Sequence, residues 1–145
     1  MERREYSITI QASKDKVWEV LWGEGTYPKW TSAFAEGSDV TTDWQKGSRV
    51  IFHDAKGDGM VSEIEDIIPG SLMVFRHLGM IMDGVEDLDS ENVKKWAGAI
   101  ERYDLTENNG NTLVEVSMDI DEANLEYFDK TWPRALGSVK HMAED

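Results

Sequence analysis

The side chains able to carry acid–base chemistry in this sequence are His77 and Glu101. His77 follows Arg76 on an expected strand, so one of the two must face the concave side of the sheet that strand joins. Glu101 shares a strand face with Tyr103 and Leu105. If that face is inward, Glu101 is a partly desolvated carboxylate and a candidate general acid or base. If alternation instead puts Ile100 inward, Glu101 pairs at the surface with an Arg or Lys across the strand. An enzyme of the cyclase or hydrolase kind would use Glu101 with His77 and needs both polar ends in one cavity. His53, beside Asp54, reads as turn chemistry. The histidines at 53, 77 and 141 form no His-x-x-x-His pair, so no helical zinc site is expected. Asp87-x-Asp89-x-Glu91 lacks the glycine and closing glutamate of a calcium loop, and Gly23-x-Gly25 and Gly57-x-Gly59 lack the next glycine of a phosphate loop. There is no Cys, hence no thiolate ligand, Cys nucleophile or disulfide. The expectation is no metal and no cofactor.

The whole chain constrains the partner. Lys and Arg number 15 against 29 Asp and Glu, a formal charge of -14, which repels phosphate backbones and anionic lipid surfaces. Nucleic acid and membrane partners are therefore not expected. At 145 residues the chain fits one domain spanning 1–145, and 40% apolar residues with 6 Trp are enough to order a core. The start, MERREYSITIQ, alternates rather than running apolar, and no window approaches the ~20 apolar residues of a membrane span. A cytoplasmic protein is expected.

Elements that could position these groups follow from periodicity. Tyr6, Ile8, Ile10 and Ala12 alternate with polar residues, predicting a strand over Arg4 to Gln11. Ser13 caps a short helix over Lys14 to Trp22 that stops at Gly23, and a further helical turn or two runs from Tyr27 to Phe34. From Asp39 to Ile120, turn residues recur every dozen positions or so, as in an antiparallel meander. Strands are expected at Asp39–Trp44, Arg49–Ala55, Gly59–Ile67, Leu72–Leu78, Trp96–Leu105 and Thr112–Ile120. The Asn108-Asn109-Gly110-Asn111 turn makes the last two neighbours. The stretch from Met80 to Lys95 reads as an acidic loop with a helical turn nucleated at Ser90. Ile81, Met82, Val85 and Leu88 would make that loop a lid. Leu125, Phe128, Trp132, Leu136, Val139 and Met142 or Ala143 stripe a long C-terminal helix, with a kink or break expected near Thr131 because Pro133 lies inside it.

A strand, two short helices, a curved antiparallel sheet and a long C-terminal helix, about seven strands in all, is an α+β helix-grip order. On that order the chain resembles the START-like superfamily, the ligand-binding and polyketide-cyclase group that includes the birch pollen allergen. Its branch of homologues of the activator of the heat-shock protein 90 ATPase is the closer resemblance. The residues carrying it are Ile8 to Ser13 through Val17 to Leu21, then Trp30, Gly59 to Ile67 with Pro69 and Leu72, Glu101 to Leu105 with Gly110-Asn111-Thr112, and Trp132 to Leu136. The match spans almost the whole chain.

The resemblance implies a cavity between the sheet and the C-terminal helix, used in that superfamily for lipids, hormones, polyketides or other apolar molecules. The expected function is binding of a small hydrophobic molecule, with a cyclase- or hydrolase-like enzyme and a co-chaperone-like interaction module as the alternatives. Phe52, Phe75, His77, Tyr103, Phe128 and Trp132 are the expected ligand contacts, with Trp30 and Trp96 near the opening. Chaperone activators of that branch carry this domain as one of two. A chain of this length is therefore expected to be a monomer or weak homodimer that neither binds the chaperone nor stimulates its ATPase.

Overall fold

The alternation at the N-terminus produces the strand it predicts. In the computed structural model, which describes all 145 residues, β1 (Glu2–Ile10) turns Tyr6, Ile8 and Ile10 inward and pairs antiparallel with β8 (Asn111–Ile120), Tyr6 opposite Val116. The Ser13 hydroxyl accepts the Lys16 N–H at 3.2 Å and starts α1 (Lys14–Trp22), which buries Val17, Val20, Leu21 and Trp22. Gly23 ends α1 through close approach rather than unusual dihedrals. Its N–H reaches the Glu19 carbonyl at 2.8 Å, where a Cβ would sit 2.5 Å from that oxygen. Helix α2 (Tyr27–Thr31) buries Tyr27 and Trp30.

The sheet contains eight strands, in the order β1-β8-β7-β5-β4-β3-β2 with β6 paired to β5. The strands not yet given are β2 (Asp39–Thr41), β3 (Arg49–His53), β4 (Gly59–Ile68), β5 (Leu72–Met82), β6 (Val85–Asp87) and β7 (Ile100–Asn108). The last two long strands are neighbours as expected. Asn109 and Gly110 both take positive φ, which a two-residue hairpin of this hand requires.

Several boundaries differ from expectation, three of them for a clear local reason. Strand β2 stops at Thr41 because Trp44 adopts φ 61°, outside strand geometry. Strand β5 runs on to Met82, where Asp83 and Gly84 turn the chain back as β6, so the first part of the expected acidic loop is a hairpin. Ser90 caps the short helix α3 (Glu91–Lys94) as expected. Trp96 lies in the turn after α3 rather than on β7, because Gly98, at φ 93°, donates to the His77 carbonyl and only then does the strand begin.

A 3-10 turn at Glu122–Asn124 leads into α4 (Leu125–Glu144), which is continuous through Pro133 and not broken near Thr131. Proline removes only the amide that would reach the Asp129 carbonyl, and Asp129 is exposed, so water can take that acceptor. The buried stripe is Thr131, Trp132, Ala135, Leu136, Val139 and Ala143. It packs on β1, α1 and α2, with Trp132 stacked on Tyr6 at 5.8 Å and edge-on to Tyr103 at 6.0 Å. The helix is thereby held over the β1, β8 and β7 side of the curved sheet, and space remains between the two.

Candidate ligand-binding cavity

The central polar group sits beside a bulge. Between β4 and β5, Val61 faces Gly79 and Ser62 faces His77, so Leu78 is the unpaired extra residue. In the regular register that runs back to Ile64 opposite Phe75, Ser62 and His77 are direct partners on the inner face, fully buried and 5% exposed respectively, with Ser62 Oγ 2.6 Å from His77 Nδ1. On the other flank Phe75 faces Glu101, which makes Glu101 the diagonal neighbour of His77, and Nε2 meets Glu101 Oε1 at 3.0 Å. Two residues along the same strand face, the Tyr103 hydroxyl donates to Glu101 Oε2. A carboxylate only accepts, so Nε2 carries a proton toward Glu101, and in the neutral ring Nδ1 accepts the Ser62 hydroxyl proton. Arg76, on the opposite face, pairs with Glu63 outside.

These groups form one pole of a cavity of about 570 Å³ between the sheet and α4. Trp30, Phe52, His77, Trp96, Tyr103, Phe128 and Trp132 all line it, as does Glu101. Phe75 does not. It is fully buried one layer back, edge-on to Phe52 at 5.0 Å and to Trp22 at 5.5 Å, and these rings with Tyr103 cover it. The expected lid is also displaced. Ile81, Met82, Val85 and Leu88 take no part in the lining, because the β5–β6 hairpin folds them away and Leu88 packs over Gly79. Asn92 and Trp96, around α3, border the opening instead. His53 lies on the rim at the end of β3, and Asp54 takes the Lys56 and Asp58 amides in the turn that follows.

The sequence reading missed Ser62, Tyr27 and Phe34. Ser62 shares the inner face of β4 with Met60 and Ile64 by alternation, and what brings it into the site is its pairing with His77 across β5, which no local pattern announces. Tyr27 and Phe34 border the cavity from α2 and the turn beyond it. Tyr27 is 7% exposed and its hydroxyl has no hydrogen-bond partner in the protein. Burial foremost, and then the charge of Glu101, push the phenols of Tyr27 and Tyr103 well above the ordinary tyrosine range. Both stay protonated in the folded protein at neutral pH.

No family model matches the chain, and no curated protein matches it in sequence. Among solved structures, the solution structure of the Aha1 dimer from Colwellia psychrerythraea superimposes with a TM-score of 0.75 at 19% identity, covering 99% of this chain and 97% of that one. The chain has the START-like helix-grip fold. A second match is protein CV1439 from Chromobacterium violaceum, with a TM-score of 0.71 at 15% identity over 100% of this chain and 99% of that one. CalU16 from Micromonospora echinospora gives 0.67 at 15% identity, over 97% of this chain and 75% of that one. The likeness is one of fold, and function has to be argued from the cavity.

Proposed function

We propose that the protein binds a small, largely apolar molecule in the cavity between the sheet and α4. The observation that carries this is the cavity of about 570 Å³ itself, walled by Trp30, Phe52, Phe128 and Trp132 and left open despite six tryptophans in the chain. Ligand pockets commonly span about 300–1,000 Å³ with apolar walls and a few polar groups that fix orientation. Burying about 200 Å² of apolar ligand surface at ~25 cal/mol/Å² contributes roughly 5 kcal/mol before association costs, so micromolar affinity needs a sizeable, enclosed ligand. Titrating a panel of flat aromatic and aliphatic compounds while following Trp fluorescence tests the reading. Trp30, Trp96 and Trp132 report directly, and a saturable change is expected. A panel without any saturable response would overturn it.

The contact between His77 and Glu101 favours a second reading, an enzyme of the cyclase or hydrolase kind. Glu101 would act as general base on a substrate held against the aromatic walls, with His77 orienting it and Ser62 orienting His77 in turn. Turnover of poly-β-ketone or aryl ester probes that disappears in Glu101→Gln, with binding retained, would establish it. As a partner-free state we propose a cytoplasmic monomer or weak homodimer. No helix of the protein is long and apolar enough to cross a membrane.

A further inference from the structure

The polar surface of the cavity is one-sided. Six carboxylates line it, Asp39, Asp54, Asp58, Glu101, Asp119 and Asp121, and neither Lys nor Arg does. Two cations stand at the rim, the Met1 amine and Arg3, and both act on Asp119, Arg3 through a bond of 2.9 Å. Nothing basic reaches Glu101 except His77.

The hydrogen-bond donors of the inner wall are already committed. The Trp30 indole N–H donates to the Leu21 carbonyl at 3.0 Å and that of Trp132 to Met118 Sδ at 3.0 Å. The hydroxyls of Thr31 and Tyr127 go to the carbonyls of Tyr27 and Phe34, each at 2.5 Å, and that of Tyr103 goes to Glu101. His77 spends one ring nitrogen on Ser62 and the other on Glu101. What the rings offer a guest is apolar and π surface. What the pole offers is acceptor capacity, since a carboxylate has about four lone-pair sites and Glu101 uses two. The exceptions are Tyr27 at the inner pole, whose hydroxyl can accept from a guest or donate to it, and the more exposed Trp96, Asn92 and Asn124, whose side-chain N–H groups have no partner in the protein.

A ligand that must receive hydrogen bonds, such as a carboxylate or phosphate, therefore finds one phenol at the inner pole and a few neutral N–H groups further out, all in a field of like charge. A ligand that supplies them finds a carboxylate in a low-dielectric, aromatic surround, where an ammonium gains both from the charge and from the rings. We propose that the cavity takes a hydrophobic cation, an apolar body carrying an amine, with the ammonium donating to Glu101 beside Tyr27 and the body against Trp30, Trp132 and Phe52. This rests on the ligand-binding reading and specifies the chemical class of its ligand.

Three probes sharing one apolar body separate the two claims: 2-naphthylethylamine, 2-naphthaleneethanol and 2-naphthylacetic acid, titrated calorimetrically at pH 7. The amine is expected to bind at least about tenfold more tightly than the alcohol, and the acid at least about tenfold more weakly than the alcohol. In Glu101→Gln, which keeps the shape and removes the charge, the preference for amine over alcohol should collapse to within about twofold while alcohol binding persists. Tyr27→Phe, which disturbs no protein hydrogen bond, should weaken amine and alcohol alike and serves if the Glu101 variant does not fold. Equal binding of all three, or preference for the acid, would overturn the charge assignment and leave the cavity reading standing. Failure of all three to bind at about 1 mM would remove both.

Discussion

Glu101 Oε1 and His77 Nε2 lie 3.0 Å apart at the base of the cavity although 24 residues separate them in the chain. The contact exists because β7 places Glu101 opposite Phe75, and His77, two residues further along β5, shares the inner face of Phe75. Glu101 thereby satisfies two groups that have no other acceptor at those atoms, the His77 Nε2 proton and the Tyr103 hydroxyl.

Glu101→Ala should accordingly cost more than the loss of its own packing. It strands the Tyr103 hydroxyl and His77 Nε2, and a buried donor left without a partner costs about 1–3 kcal/mol. A total of roughly 2–4 kcal/mol in urea denaturation is expected, with Glu101→Gln costing less because its amide oxygen still accepts one of the two bonds. Equal midpoints for Glu101→Ala and the unmodified protein would show that the network carries no stability.

Trp132 joins the helix to both sides of the fold, stacking on Tyr6 and meeting Trp30, Phe34 and Tyr103 at 4.9–6.1 Å. Trp132→Ala removes a side chain that is 2% exposed, and about 3–5 kcal/mol of destabilisation is expected. Because part of the lost volume joins an existing cavity, an apolar probe of the naphthyl series should recover a fraction of the stability in thermal melts by occupying it. A melting point unmoved by saturating probe would place Trp132 away from the binding space.

The elements were legible wherever local pattern decides them. Tyr6 to Ile10, the Ser13 cap, the Asn109-Gly110 turn and the Trp132 to Val139 stripe each carry their own signal, and the START-like order follows from their sequence. What was not legible depended on register. Alternation alone left open whether Ile100 or Glu101 faces inward, and pairing with β5 and β8 settles it. Ser62 enters the site through its cross-strand pairing with His77, and Phe75 is shut out of it by Phe52 and Trp22, neither of which is near it in sequence. The lid was misplaced because Val85 to Asp87 pair as a strand edge, an outcome of a tight Asp83-Gly84 turn within a stretch read as loop.

Asp119 ties the start of β7 to β1, accepting the Ile100 N–H and the Arg3 guanidinium, each at 2.9 Å. Burial alone would raise its pKa, but these two bonds outweigh it and hold the carboxyl below its usual range. The stability it contributes is therefore present above about pH 4 and is lost as pH falls toward its folded-state value. Asp119→Asn should lower the urea midpoint at pH 7, and the gap to the unmodified protein should narrow steadily as pH falls below about 4. A gap that stayed constant across this range would assign the effect to packing rather than charge.

Sedimentation velocity across concentration should show a monomer or weak dimer, and added protein should leave the heat-shock protein 90 ATPase rate unchanged. With a charge of -14, any association with a basic partner surface should weaken as salt rises, because rim charges are screened over about 10 Å at 0.1 M. Clear stimulation of the ATPase would overturn the second expectation.

The alkaline limb tests the cavity pole by another route. Tyr27 and Tyr103 are 7% and 2% exposed, and both phenols are held protonated, by burial first and by the Glu101 charge second. A raised folded-state pKa means that above about pH 10 the unfolded chain releases these protons while the folded protein keeps them, so stability falls with rising pH. Each such group contributes a slope of about 1.4 kcal/mol per pH unit, or roughly 2.7 for the pair, beginning near pH 10. Absorbance of tyrosinate should show Tyr27 and Tyr103 ionising only as the protein unfolds, while Tyr6, held up by burial and its bond to Asp129, and Tyr127, held up by burial, also titrate above the ordinary tyrosine range. In Glu101→Gln, Tyr27 and Tyr103 should hold their protons less tightly, and Tyr103→Phe should lower the slope by about 1.4 kcal/mol per pH unit. Both phenols titrating reversibly near pH 10 in the native protein would mean that neither is buried at the base of the cavity.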